Sequence, residues 1–417
     1  MELKISGTLG GQLAIPPSKS VAHRMLICAA LAGEASSFTC GEYGDDVQRT
    51  ADCLSALGAT VKYSDDSFRI WPISDVVRRC TLDCGESGST LRFLLPVTAV
   101  LGADASFTGA GRLSQRPLSP LYEEMTGHGV KMTAQGSFPL SLNGRLEGGD
   151  YTLDGGVSSQ FISGLLMALP LAEKDSTLTL TGNVQSKSYI ELTVRAMRHA
   201  GVTIDRTKDG FSITGRQRYE AVSRSNVEGD WSAAAFWLVA GVTGKSPVIC
   251  TGIDTERSLQ GDKAIVGILR SMGAEIRTNG DTVTAFPSTL NSIGIDCSDI
   301  PDLVPALTVA AACAKGQTVF RNVSRLHLKE SDRIATISAM LDSFGIKAEA
   351  DADTLSVTGG QPHSCSIGTA GDHRIAMAAS IMAVLCSEPV TISGAECVSK
   401  SYPSFYNDFI KLGGHIG

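Results

Sequence analysis

Leu54-Ser55-Ala56-Leu57-Gly58-Ala59-Thr60-Val61 reads as the last turn of an amphipathic helix, a glycine, and the opening of a strand. The same reading returns at residues 125–132 around Gly129, 197–204 around Gly201, 270–276 around Gly273, 342–348 around Gly345 and 410–416 around Gly413. Successive glycines lie 71, 72, 72, 72 and 68 residues apart. The residue after a helix often needs the left-handed conformation, which glycine enters without steric cost. After five of the six comes an alternating stretch broken by turn residues: Ser64-Asp65-Asp66, Ala134-Gln135-Gly136, Lys208-Asp209-Gly210, Asn279-Gly280-Asp281 and Ala350-Asp351-Ala352-Asp353. Each is a hairpin signal. Five near-equal spacings speak for a true six-fold repeat of helices and strands.

The sixth copy ends at Gly417, before a hairpin can follow. The opening of the chain, Leu3-Lys4-Ile5-Ser6, Gly10-Gly11 and Gln12-Leu13-Ala14-Ile15, reads as strand, turn, strand. An N-terminal hairpin is therefore expected to complete the last repeat. Residues 18–225 form a first lobe of three repeats, and residues 1–15 with 228–417 form the second. Two crossings, near Pro16-Pro17 and near residues 226–230, would act as a hinge, with the ligand site expected between the lobes.

Composition narrows the function. Of 417 residues, 43% are hydrophobic and 19% charged, an ordinary globular balance. With 36 basic and 43 acidic residues the net charge is −7, which argues against a nucleic-acid binder. The longest apolar runs, near 161–172 and 375–386, are too short for a bilayer span, and Met1-Glu2-Leu3-Lys4 lacks a secretory pattern. Eleven scattered Cys without a C-x-x-C pair suit buried thiols in a reducing cytoplasm.

Several segments carry chemistry. Pro16-Pro17-Ser18-Lys19-Ser20-Val21-Ala22-His23-Arg24 leads into an apolar helix expected over 25–32, with Lys19 preceding it. Ser20 and Arg24, four apart, can reach one anion at a helix N-terminus. A Ser cap with solvated cations is the other reading. Cys84-Gly85-Glu86-Ser87-Gly88-Ser89-Thr90-Leu91-Arg92 is a Gly-rich turn entering a helix, open to phosphate contact or to a plain structural role. Ser114-Gln115-Arg116-Pro117 sets an Arg in a rigid turn. Ser158-Ser159-Gln160 and Ser186-Lys187-Ser188-Tyr189 offer neutral hydrogen-bonding groups, or helix caps. Arg325-Leu326-His327-Leu328-Lys329-Glu330-Ser331-Asp332-Arg333 is dense in charge, as surface helices also are. Gly371-Asp372-His373-Arg374 opens an almost wholly apolar helix. Ile300-Pro301-Asp302 puts a lone carboxylate before an apolar helix expected over 306–314, as an N-cap or as a proton carrier. No HExxH, Cys/His cluster or EF-hand loop appears, so no metal is expected.

In this order, from the Pro-Ser-Lys-Ser hinge through Lys-Glu-Ser-Asp-Arg and Asp-His-Arg-x-Ala-Met to Lys400, these motifs resemble the EPSP synthase family of enolpyruvyl transferases. The resemblance implies an α/β fold of two lobes, each of three βαβαββ-type repeats, the inside-out α/β barrel of that family. It implies transfer of the enolpyruvyl group of phosphoenolpyruvate to the 5-hydroxyl of shikimate 3-phosphate, without cofactor, by a cytoplasmic monomer. By the matching motifs Ser20, Arg24, Ser158, Ser159, Gln160, Ser186, Tyr189, Asp302 and Lys329 would hold shikimate 3-phosphate. Lys19, Gly88, Arg116, Gln160, Arg333, Arg374 and Lys400 would hold phosphoenolpyruvate. Asp302 and Glu330 would move protons, assisted by Lys19 and His373. Glu86, Arg325 and Ser188 depart from the family pattern, where Asn, Asn and Pro are usual. The sister enzyme acting on UDP-N-acetylglucosamine is the rival reading, as is a non-catalytic paralogue. The sister enzyme generally carries a reactive Cys on a loop, and residues 111–117 contain none.

Overall fold

The six repeat glycines do what their spacing asks. Gly58, Gly129, Gly201, Gly273, Gly345 and Gly413 all have positive φ, from 75° to 118°. The computed structural model describes residues 1–417 apart from the side chain of Arg224. It comprises two compact units: a central one, Lys19–Val227, and a terminal one, Met1–Ser18 with Glu228–Gly417. Three four-stranded sheets belong to each.

One repeat shows the plan of all. Strand Arg79–Asp83 is followed by helix Gly88–Leu101, strand Asp104–Thr108, helix Leu121–Gly127, and strands Val130–Met132 and Leu140–Gly144. The first two strands pair in parallel across the buried helix. The last strand returns antiparallel beside Asp104–Thr108, and Val130–Met132 takes the outer edge. This is the βαβαββ order, and the six sheets share it.

The expected N-terminal hairpin is not formed. Strand Glu2–Gly7 lies between Val390–Ser393 and Gly414–Ile416 and so completes the sixth sheet. Strand Gly11–Ala14 instead lies parallel to Val248–Thr251 and opens the fourth. The bend between them is bonded outward: Gly10 N–H donates to Leu412 O and Gly11 N–H to Pro247 O, each at 2.9 Å. Alternation fixes which face of a strand is buried but not which strand it pairs with. In the central unit the same swap occurs, where Ser223–Asn226 supplies the parallel neighbour of Ser36–Thr39.

Each unit is built around three helices that are apolar almost all round, which is the pattern of a buried helix. They are Lys19–Ala30, Gly88–Leu101 and Ser159–Ala168 in the central unit. Trp231–Thr243, Val304–Ala312 and His373–Ala383 are their counterparts in the terminal unit. Two begin earlier than the sequence suggested, so Lys19 lies in the first turn of its helix and not ahead of it. Gly88–Leu101 and Ser159–Ala168 cross closely at Gly164, where a Cβ would stand 2.5 Å from the Arg92 carbonyl oxygen. Among the described residues no helix is long and apolar enough to cross a membrane.

Candidate active site

The N-termini of the buried helices carry most of the singled-out residues, because those ends hold unpaired N–H groups and the positive end of the helix dipole. In the central unit Arg24 is only 2% exposed. Its Nε donates to Thr193 Oγ1 at 2.7 Å, Nη1 to the Ser20 carbonyl at 2.7 Å, and Nη2 to the Tyr189 carbonyl at 2.9 Å. Its guanidinium also lies 4.9 Å from the Phe93 ring centroid. Burial without a carboxylate pulls its pKa down to about 10. Ser20, Arg24 and Tyr189 are thus brought together, with Thr193 and Ser163, which the sequence did not flag.

Lys19 Nζ meets Asp46 Oδ2 at 2.8 Å. Asp46 escaped sequence reasoning because it sits in an ordinary acidic helix start, Gly44-Asp45-Asp46. Gln160 bridges two segments: its Oε1 accepts from Arg92 Nη1 at 2.7 Å and its Nε2 donates to Ser89 Oγ at 2.9 Å. Gly88 packs on Arg116, so closely that a Cβ there would stand 2.5 Å from Nη1. Glu86 turns toward Gly111, where a Cβ would meet Oε2 at 2.5 Å. Ser158 does cap its helix, its Oγ accepting from Gln160 N–H at 3.3 Å. Ser186 makes no side-chain cap bond; it is 3% exposed and held at φ 53°, a left-handed conformation that costs a non-glycine residue.

The terminal unit is built on one arginine. Arg333, 1% exposed, donates Nε to Asp372 Oδ2 at 2.8 Å, Nη1 to Asp302 Oδ1 at 2.8 Å and Nη2 to Glu330 Oε2 at 2.5 Å. Burial alone would lower its pKa, but the three carboxylates outweigh burial and hold it well above the ordinary value. Asp302 is not an N-cap; the helix cap is Leu303, and Asp302 faces cations instead. Lys329 Nζ lies 3.6 Å from Oδ1, and Arg374 Nη2 lies 3.1 Å from Oδ2. Asp372 caps the helix of His373 and Arg374, accepting from Arg374 N–H at 3.0 Å, while its other oxygen also receives Ser331 Oγ–H at 3.0 Å. Burial would raise Asp372, yet Arg333 keeps it below the usual carboxylate value. Lys329 is pulled down to about 8 by burial, against the opposing pull of Asp302. Lys400 reaches the same corner, donating to the Gly371 carbonyl at 2.7 Å. Behind them Asp262, 2% exposed, accepts from Ser232 Oγ and is raised to about 7 by burial and by Asp302.

The eleven cysteines are free thiols. Burial pushes Cys28, Cys40 and Cys297 up to about 12, which makes inert thiols. Chemically, the arrangement offers fixed cations for anionic oxygens and two carboxylates, Asp302 and Glu330, on one guanidinium.

The family model described as EPSP synthase (3-phosphoshikimate 1-carboxyvinyltransferase) matches residues 3–409. The chain belongs to the EPSP synthase family. It is 42% identical over 412 residues to the 3-phosphoshikimate 1-carboxyvinyltransferase of Clostridium kluyveri, covering 98% of this chain and 96% of that one. Against the enzyme of the same name from Clostridioides difficile it is 37% identical over 424 residues, with 98% and 96% covered. Among solved structures, an EPSP synthase from Acinetobacter baumannii superposes with a TM-score of 0.80 at 26% identity, over 100% of this chain and 99% of that one. The enolpyruvyl transferase NikO of Streptomyces tendae has the same fold, with a TM-score of 0.79 at 20% identity over 100% and 98%. Membership of the EPSP synthase family accounts for the six repeats and for the enolpyruvyl transferase α/β architecture.

Proposed function

We infer that the chain is a 3-phosphoshikimate 1-carboxyvinyltransferase, moving the enolpyruvyl group of phosphoenolpyruvate onto the 5-hydroxyl of shikimate 3-phosphate. The reaction adds the alcohol oxygen to C2 of phosphoenolpyruvate and a proton to C3. It then removes a proton from C3 and expels phosphate. Addition needs a base at the hydroxyl and an acid at the methylene carbon, and elimination needs the reverse.

The observation that carries the residue assignment is the bonding of Asp302 and Glu330 to one guanidinium, Arg333, at 2.8 and 2.5 Å. Two carboxylates so held keep a fixed separation, as a pair that exchanges protons with substrate must. Asp302 orients the 5-hydroxyl and accepts its proton. Glu330 serves C3, with Lys19 and His373 assisting. Arg24, Ser20, Ser158, Ser159, Ser186, Tyr189 and Lys329 hold shikimate 3-phosphate, with Gln160 serving both substrates. Lys19, Gly88, Arg116, Arg333, Arg374 and Lys400 hold phosphoenolpyruvate, whose carboxylate and phosphate suit the planar donors of Arg. The enzyme works as a cytoplasmic monomer.

The test is phosphate release with shikimate 3-phosphate against UDP-N-acetylglucosamine; turnover only with the sugar nucleotide would hand the reading to the sister reaction. For the residues, Glu330→Gln keeps shape and hydrogen bonding but cannot carry a proton. Turnover is expected to fall about 10²–10⁴-fold, the usual worth of a general acid or base. Calorimetric binding of shikimate 3-phosphate should persist. Near-normal turnover rejects Glu330 as a proton carrier.

A further inference from the structure

Four polar side chains of the central unit, His23, Thr50, Ser87 and Thr90, are each 0% exposed in the middle of an apolar core. They form a single file. His23 Nδ1 lies 2.7 Å from Thr50 Oγ1, Thr50 Oγ1 lies 2.7 Å from Thr90 Oγ1, and Thr90 Oγ1 donates to Ser87 Oγ at 2.8 Å. A second acceptor for Thr90 is the Asp46 carbonyl at 3.3 Å. Burying polar groups costs free energy even when they are bonded, and apolar residues of similar volume would fill the same space without that cost. What such a file supplies is a register.

The spacing shows which register. Lys19 and His23 are four apart on helix Lys19–Ala30, and Asp46 and Thr50 are four apart on helix Asp45–Ala56. Lys19–Asp46 and His23–Thr50 are therefore two rungs, one helical turn apart, between the same pair of helices. The outer rung carries Lys19 and is part-exposed; the inner rung is sealed. Through Thr90 and Ser87 the inner rung also reaches the N-cap of helix Gly88–Leu101, where the Ser87 oxygen accepts from Thr90 N–H at 3.2 Å. Two of the three hydroxyls, those of Thr50 and Thr90, belong to Thr, whose branched Cβ restricts its rotamer and stiffens the link.

We propose that His23 is a positioning residue: through Thr50 and Thr90 it fixes the axial register of the Lys19 helix against Asp46 and against the Ser87–Gly88 turn. His23 does not touch substrate and moves no proton. Its Nε2 has no hydrogen-bond partner, so a charged ring would bury an unbonded N–H. Burial, together with the neighbouring cations Lys19 and Arg24, holds its pKa well below the ordinary value. With the Nδ1–H tautomer the file runs one way, from ring N–H to Thr50 to Thr90 to Ser87, and the unpartnered Nε2 of His23 presents only a lone pair. An unused lone pair is the cheaper omission.

The functional consequence rests on Lys19 binding phosphoenolpyruvate, as proposed above. His23→Leu fills the ring's place without the rung, Thr50→Val breaks the same rung from the other helix, and His23→Asn restores a side-chain N–H donor. Each leucine or valine variant is expected to raise the phosphoenolpyruvate KM about tenfold or more while the shikimate 3-phosphate KM shifts less than threefold. His23→Asn should return to within about threefold of the parent. The thermal midpoint of His23→Leu should stay close to the parent, because the charge pair it loosens, Lys19–Asp46, is only part-buried; Thr50→Val leaves the buried His23 ring nitrogen unbonded and should melt lower. In a crystal structure of His23→Leu the Lys19–Asp46 contact should be lengthened or lost. An intact 2.8 Å contact there, or an unchanged phosphoenolpyruvate KM in both apolar variants, overturns the proposal. Lys19→Met serves as the separate control: if it leaves that KM unchanged, the reading of Lys19 fails, while the crystallographic contact still decides the role of His23.

Discussion

Arg24 and Arg333 are both buried arginines near the start of a helix, one in each unit, yet they are bonded in opposite ways. Every hydrogen bond of Arg24 ends on a neutral oxygen, and its face is covered by Phe93. Arg333 spends its donors on three carboxylates. The pKa directions follow, down to about 10 for Arg24 and well above the ordinary value for Arg333. Arg24 keeps an uncompensated positive charge, which suits it to an anionic ligand. Arg333 has its charge shared among three carboxylates, so it also fixes those groups in place. The same residue type thus carries an unanswered charge in one unit and a shared one in the other.

The harshest way to break this contrast is Arg333→Met. It would leave Asp302, Glu330 and Asp372 buried together without their shared cation, at a cost of about 3–5 kcal/mol in urea unfolding. A loss under about 1 kcal/mol would mean that the carboxylates do not depend on Arg333. Arg24→Met removes no carboxylate's partner. Its stability cost should be about 1–3 kcal/mol, from hydroxyls and carbonyls left unbonded. Shikimate 3-phosphate affinity, read by calorimetry, should fall about 10–100-fold, the worth of a hydrogen bond to a charged group. Undiminished affinity would remove Arg24 from the anion site.

Milder tests use pH, because the two units hold buried groups with opposite shifts. Asp262 keeps its proton up to about 7 in the folded chain, whereas an unfolded Asp loses it near 4. Between those values the folded state binds more protons, so stability falls as pH rises. Asp262→Asn should remove that slope, gaining on the parent by on the order of 1 kcal/mol per pH unit across the window and then levelling off. A constant difference between parent and variant from pH 4 to 8 would show that Asp262 ionises normally. The smallest effect is His23, which burial, Lys19 and Arg24 keep neutral in the folded state. There the unfolded chain takes up the proton, so stability is lost as pH falls below about 6.5. His23→Asn should flatten the acid limb of the denaturation profile, and an unaltered acid limb would show that His23 protonates in place.

Much of this was legible in one dimension. The six glycines, the five hairpin signals and the apolar helices were fixed by chain-local physics: left-handed φ, turn chemistry and periodicity. Lys329, Glu330 and Arg333 fall within five residues, and Asp372, His373 and Arg374 are consecutive, so their clustering showed as a motif. What the sequence could not reveal was pairing across distance. Nothing near Asp302 in the chain is cationic, and only folding brings Lys329, Arg333 and Arg374 to it. Asp46 and Asp262 gave no signal, because an acidic residue at a helix start is ordinary until burial changes its partners. The two N-terminal strands read correctly as strands but joined different sheets, since alternation specifies a buried face and leaves the neighbour open. Local backbone preference set the elements; burial and long-range charge pairing, which exist only once the chain has closed, decided the chemistry.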